Sequence, residues 1–442
     1  MIIKNYNKIT NTEFKKDLVD IIEDGIKKVN PHDMIRDAVR YNGDFNSVII
    51  QHNEYDLFQG RIFVIGGGKA VGNMAHELEE IIGSDRIVAG IINTVKGRYN
   101  LKKIKVNEVA YPLPEKKGEK GAIKMMQLKD KYKIGQGDLV INLLSGGASA
   151  MVPAPVDGIS IKDQQKITEL LLESKAQTPE INIIRRHLSK IKGGRLAQFF
   201  YPAKVVSIII SNVIGDRLEV IGSGPTAPDH TSFQDAKDVL AGHNLWEKTP
   251  ESIKNHILKG VSGEIEDTPS VLENAANHII GNSSIVLEAM AVKAKNLGYK
   301  PIIVFDDLSG NSREGAKRVA RDIIKKQALH NVFLFAGKTK IKTGKRDKDL
   351  SRNQQFVASL ILEIKNIFSE WGVASLDTDG IDYHSQYAGT VLDHNILNKV
   401  KDFSELQDIK KTTNFFKKNK DTQILTGDTG TNVGDVVIFI KK

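Results

Sequence analysis

The sequence predicts an α/β protein with largely parallel sheets. Helical and strand-like segments alternate almost throughout. The strands 138–144 (DLVINLL) and 203–211 (AKVVSIIIS) are continuous apolar runs, the texture of strands buried on both faces. Several strands run straight into glycine, as in 61–68 (RIFVIGGG). At 442 residues the chain exceeds a single core, and two or three domains are expected.

The elements follow in order. Residues 13–29 carry apolar side chains at helical spacing and stop before Pro31. Strand 61–68 feeds a helix over 70–82, strands follow at 86–93 and 105–111, and 115–132 reads as helical despite two glycines. After strand 138–144 come helices 160–174 and 179–191 and strand 203–211. Residues 232–272 turn helical and polar, which sets the expected domain boundary at 240/241. A second series follows: a strand at 277–282, a helix at 283–299, a strand at 300–305 and a helix at 312–327. Paired strands are expected at 331–337 and 338–343, then a helix at 353–367 and strands at 372–377 and 435–440.

Composition removes several function classes. Cysteine is absent, which excludes disulfides, thiolate metal sites and a cysteine nucleophile. The 11 histidines show no metal-ligand spacing. GxSxG and HExxH are missing. No apolar stretch approaches the roughly 20 residues of a membrane span, and the polar N-terminus is unlike a secretory leader, so a cytoplasmic protein is expected. The net charge of +9 raises nucleic acid as a partner. The lysines are spread among acids, however, and the dense patch 338–349 has no aromatic ladder, so a solvated basic surface is the reading adopted.

The chemistry concentrates in loops. Ser145-Gly146-Gly147-Ala148-Ser149 ends an interior strand, where backbone N–H groups and two hydroxyls can cradle an anion. Gly66-Gly67-Gly68-Lys69 sets a lysine at the opening of a helix. It fits neither GxxxxGK[ST] nor GxGxxG, since Val71 holds the third glycine position. Loop 190–197 offers Lys192 and Arg195; loop 211–229 offers Asn212, Asp216, Ser223, Gly224 and Thr226; loop 377–382 offers Asp377, Asp379 and Asp382, carboxylates suited to magnesium. Each alone could be a plain turn. Together they suit phosphoryl transfer, which needs charge neutralisation and positioning more than a covalent nucleophile.

These motifs as a set resemble the glycerate 2-kinase family, whose C-terminal part is the MOFRL domain. The resemblance rests on VIGGGKAVGNMA, LLSGGASAMVPAPVDGIS, EINIIRRHLSKIKGGRLA, SNVIGDRLEVIGSGPTAPDHTSF, SRNQQ, DTDGID and TGDTGTNVGD, the block 143–233 being the most specific. The chain departs from the family at Ala110-Tyr111-Pro112, at Ala336-Gly337-Lys338, at Leu350-Ser351 and at Gln355.

The resemblance implies a Rossmann-like α/β/α domain over 1–240 and a smaller α/β domain with a mixed sheet over 241–442, with the active site in the cleft between them. It implies phosphorylation of D-glycerate at its 2-hydroxyl by ATP with Mg2+, the assembly considered being a homodimer. Lys69 and Arg352 match family motif positions and would act in catalysis, as would Asp216, the 2-hydroxyl proton going to Asp216, to Asp379 or to solvent. Gly67, Gly68, Ser145, Gly146, Gly147, Ser149, Asn212, Ser223 and Gly224 would bind nucleotide, and Lys192, Arg195 and Asp379 substrate. Arg195 or Arg352 would clamp the glycerate carboxylate, and Asp216 or Asp379 would hold the metal. Which loop takes ATP and which takes glycerate stays open at this point. The alternatives are a hydroxypyruvate reductase and a kinase of another small hydroxy acid.

Overall fold

Strand order explains why the glycine loops meet. In the computed structural model, which describes residues 1–57, 59–341, 350–383 and 385–442, the chain forms two compact units. One comprises Pro31–Ser211 and Asp216–Ile280, and the other Met1–Asn30, Asn212–Gly215 and Gly281–Lys442.

The first unit is built on a sheet of β4 (Ile62–Gly67), β5 (Ile87–Thr94), β6 (Ile104–Glu108), β7 (Leu139–Leu144), β8 (Lys204–Ile210) and β9 (Ala275–Gly281), ordered β6-β5-β4-β7-β8-β9. Every pairing from β6 to β8 is parallel. This is the 3-2-1-4-5-6 order of the Rossmann fold, and the direction of winding reverses between β4 and β7. Both of those strands are buried at every residue, which is why they read as apolar runs. A three-stranded antiparallel meander, β1 (Val39–Asn42), β2 (Ser47–Ile50) and β3 (Asn53–Asp56), belongs to the same unit.

The second unit holds a mixed sheet of β10 (Pro301–Leu308), β11 (Val332–Gly337), β12 (Trp371–Asp377), β13 (Gly389–Asp393), β14 (Gln423–Ile424) and β15 (Asp435–Lys441), ordered β10-β11-β15-β12-β13-β14. Only β10 and β11 are parallel; the C-terminal strand inserts between β11 and β12, antiparallel to both. Helix Glu13–Lys28 packs here. Its buried face includes Leu18, Ile22 and Ile26, Thr12 caps its first turn, and Gly25 brings it close against Met290 of helix Ser283–Asn296.

Two expectations are corrected. The compact units do not divide at 240/241. β9 completes the parallel sheet beyond that point, while the N-terminal helix joins the C-terminal sheet. An apolar helical stripe announces burial but not the surface that buries it. Of the strand expected at 338–343, the described residues 338–341 do not pair with β11, because β15 occupies that edge, and Lys340 instead bridges Asn311. The rest of the basic patch, 342–349, lies outside the described residues.

Candidate active site at the sheet reversal

β4 and β7 run in register to Gly67 and Leu144, so the loops that follow leave adjacent strand ends at the reversal point. The loops are tied to each other. Lys69 N–H donates to the Gly146 carbonyl (3.0 Å), Ala70 N–H to Ser145 Oγ (3.0 Å), Ser145 N–H to the Gly67 carbonyl (3.3 Å) and Gly68 N–H to the Asn93 carbonyl (3.1 Å). A Cβ at Gly68 would run into the Ser145 side chain and carbonyl. Glycine at 68 therefore permits the close approach of the two loops. The N–H groups of Gly146 and Gly147 donate to no acceptor among the described residues. Gly147, at φ +96°, opens the short helix Ala148–Met151.

Cations gather around these donors. Lys69 Nζ lies 4.5 Å from the ring centre of Tyr111, and the same ring lies beside Gly147. Lys192 is buried, and its Nζ donates to the Val152 carbonyl at 3.3 Å. Burial, helped by repulsion from Arg185, pushes its ammonium down to about 7. Burial also lowers Arg185, with Tyr111 opposing. Neither Lys192 nor Arg185 has a carboxylate within 4 Å among the described residues. Both line a cavity of about 20 Å³ together with Ser149. Ser149 Oγ meets Ser223 Oγ at 3.0 Å, and Ser223 donates to Asn182 at 3.1 Å. Gly224 accepts from Gly194 N–H (2.7 Å), which fixes the Lys192 loop beside the 211–229 loop.

The fork expected of Arg195 or Arg352 is in both cases occupied by the chain itself. Arg195 donates to the carbonyls of Ser189 (3.0 Å) and Glu266 (3.2 Å). Arg352, in the second unit, is buried on Asp435 (Nε 2.7 Å, second nitrogen 2.8 Å) and on Asp377, with Asp382 at 3.7 Å. These carboxylates hold Arg352 well above its usual value despite burial. The open arginine is Arg185, which sequence reasoning missed. Adjacent Arg185 and Arg186 look alike, and only the structure shows that Arg186 pairs with Asp229 (2.8 Å) while Arg185 has no carboxylate partner among the described residues.

The carboxylate loop is a separate group in the second unit. Asp379 accepts from Ile381 N–H (3.0 Å) and Asn432 (3.4 Å), and Asn432 in turn accepts from Asn212 (3.2 Å). Lys338 adds an ion pair to Asp377 at 3.2 Å. Four carboxyls face two cations here, and burial raises both Asp435 and Asp382. Asp382 Oδ1 is buried without a hydrogen bond. Such a surplus of hard oxygen donors fits a divalent cation such as Mg2+. Asp216, the other expected ligand, lies in the first unit with φ +50° and is partly buried.

Comparison with known proteins agrees with this architecture. Residues 17–258 match the family described as Domain of unknown function (DUF4147), and 331–435 match the MOFRL family. The chain is 34% identical to a protein of Pyrococcus horikoshii named glycerate 2-kinase, over 95% of this chain and 96% of that one. A crystal structure of a glycerate kinase from Thermotoga maritima superposes with a TM-score of 0.79 at 30% identity, covering 97% and 99% of the two chains. A relative from Agrobacterium vitis, 31% identical over 95% and 97%, carries the provisional name hydroxypyruvate reductase. With both family models matched in order and similarity running nearly end to end, the chain belongs to the glycerate 2-kinase family of DUF4147–MOFRL proteins.

Proposed function

We propose that the protein transfers the terminal phosphoryl group of ATP to the 2-hydroxyl of D-glycerate, giving 2-phosphoglycerate and ADP. One observation carries the reading: buried Lys192 and partly buried Arg185 stand, among the described residues, without a carboxylate partner beside Ser149 and near the unengaged N–H groups of Gly146 and Gly147. A fold leaves such charges unpaired where a ligand supplies the anion. A guanidinium fork matches a carboxylate, so Arg185 and Lys192 take the glycerate carboxylate. The Gly146 and Gly147 donors and Lys69 take phosphoryl oxygens, as charge neutralisation in this chemistry requires.

The bond from the γ-phosphorus to the bridging oxygen breaks, a bond from the glycerate 2-oxygen to phosphorus forms, and the hydroxyl proton leaves to a carboxylate or to solvent. Asp379 and its neighbouring carboxylates in the second unit are the groups we assign to Mg2+, which when bound neutralises phosphate charge. The context that accompanies this reading is cytoplasmic sugar-acid catabolism, such as a non-phosphorylative Entner–Doudoroff branch.

Purified protein with ATP, Mg2+ and D-glycerate should form ADP and 2-phosphoglycerate. A panel of other small hydroxy acids tests the substrate. The provisional name of the Agrobacterium relative keeps a reductase as the second reading; oxidation of NADH by hydroxypyruvate, with no ADP formed from glycerate, would favour it.

A further inference from the structure

Among the described residues, histidines scattered in sequence contribute to one three-dimensional cluster that the kinase reading does not use. His32 sits in the first turn of helix Pro31–Ala38, and His76 and Glu77 are neighbours in helix Val71–Ile82. One ligand atom from each lies within 4.8 Å of the others. We propose that His32, His76 and Glu77 bind a divalent transition-metal ion, with zinc the best match, clamping these two helices together.

The geometry is that of a tetrahedral site already half drawn. His32 Nδ1 lies 3.2 Å from Glu77 Oε2, against an edge of about 3.3 Å for two ligands about 2.0 Å from one zinc. The two imidazole centres are 5.4 Å apart and their planes 78° apart; rings sharing one tetrahedral zinc sit about 5 Å apart. The other Glu77 oxygen accepts from Arg36 Nε (2.9 Å), with a second guanidinium nitrogen at 2.8 Å. Such an outer partner orients a ligating carboxylate and leaves its second oxygen for the metal.

An ordinary ion-pair network of His32, Glu77 and Arg36 would explain those three residues but not His76, whose Nδ1 is buried with no hydrogen bond. A ring nitrogen of His76 lies within 4.8 Å of the other two ligand atoms, and a shared cation gives that imidazole a partner the ion-pair network does not. Two imidazoles and one carboxylate select zinc, cobalt or nickel over magnesium, and the fourth position falls to water.

The test is equilibrium dialysis of the full chain against Zn2+, with elemental analysis, and a Co2+ titration followed by visible absorption. One equivalent should bind with micromolar or tighter affinity, and Co2+ should give the intense bands of a four-coordinate site. His76→Ala and His32→Ala should each weaken binding at least tenfold, and Zn2+ should raise the melting temperature of wild type but of neither variant. His52→Ala, at an exposed histidine, should bind as wild type. Should His76→Ala fold poorly, His32→Ala, whose side chain is 35% exposed, carries the comparison. Unchanged stoichiometry and affinity in the folded variant, or no binding by wild type, would overturn the proposal.

Discussion

Lys192 offers the sharpest test, because its burial has a measurable consequence before any ligand is added. The ammonium titrates at about 7 in the folded chain and near 10.5 when unfolded. Between those values the unfolded chain holds a proton that the folded chain has released. Stability therefore rises with pH across the interval, by about 1.4 kcal/mol per pH unit, and the full penalty of the buried charge is present below about pH 7. Lys192→Met keeps the volume and removes the charge. Relative to wild type it should be stabilised below neutral pH by a few kcal/mol, less about 1 kcal/mol for the lost hydrogen bond to Val152. The advantage should shrink by roughly 2–3 kcal/mol between about pH 7 and pH 9.

Urea unfolding of both proteins across that range, read as the difference between them, cancels every other titrating group. Binding closes the argument. An anion placed on Lys192 restores its proton, so D-glycerate should bind with uptake of about half a proton at pH 7 and nearly one at pH 8, measured by calorimetry in buffers of different ionisation enthalpy. Lys192→Met should gain stability and lose that uptake. Parallel pH profiles for the two proteins, with no proton taken up on binding, would refute the uncompensated cation.

Other substitutions separate the remaining roles. Arg185→Leu should raise KM for D-glycerate about 10- to 100-fold, with the melting temperature held or increased, whereas Arg195→Leu, losing its bonds to two backbone carbonyls, should mainly lower stability. Lys69→Ala should reduce kcat/KM by about 10²–10³ with little change in melting temperature; normal turnover would remove it from the mechanism. Gly68→Ala should destabilise by about 2–4 kcal/mol, since its Cβ meets Ser145, and a fully stable variant would contradict the interlocked loops. In the second unit, burial raises the Asp435 and Asp382 carboxyls, so their contribution is largest in acid and is lost as pH rises through their folded values. Mg2+ competing with those protons should therefore raise the melting temperature more at about pH 8 than at pH 6; equal shifts would place the cation elsewhere.

Strands β4, β7 and β8 were legible because burial on both faces leaves no room for polar residues, and their glycine endings marked the loops of the candidate site. The meander of β1 to β3 was not. Each strand has only four residues, β3 is polar and largely exposed, and the short apolar run Val48–Ile50 of β2 is too brief to set the meander apart from loop. The same limit applies to β14, with two residues, and to the assignment of the N-terminal helix to the second unit. Such features are decided by tertiary partners far along the chain.

The arginines show where sequence reading must stop and why. Arg185, Arg186, Arg195 and Arg352 are chemically identical, and all lie in motifs of basic or polar character. What distinguishes them is the presence of a carboxylate or carbonyl brought in from a distance: Asp435 reaches Arg352 across 83 residues, and Glu266 reaches Arg195 across 71. Pairing converts an arginine from a ligand-binding group into a brace, because its donors are already engaged. A cationic side chain in a loop motif is thus a weak functional signal alone, and the same side chain desolvated and unpaired is a strong one. By that criterion the proposed ligand-binding charge is carried by Arg185 and Lys192, where on our reading the energy of leaving a cation without an anion is recovered only when the ligand arrives.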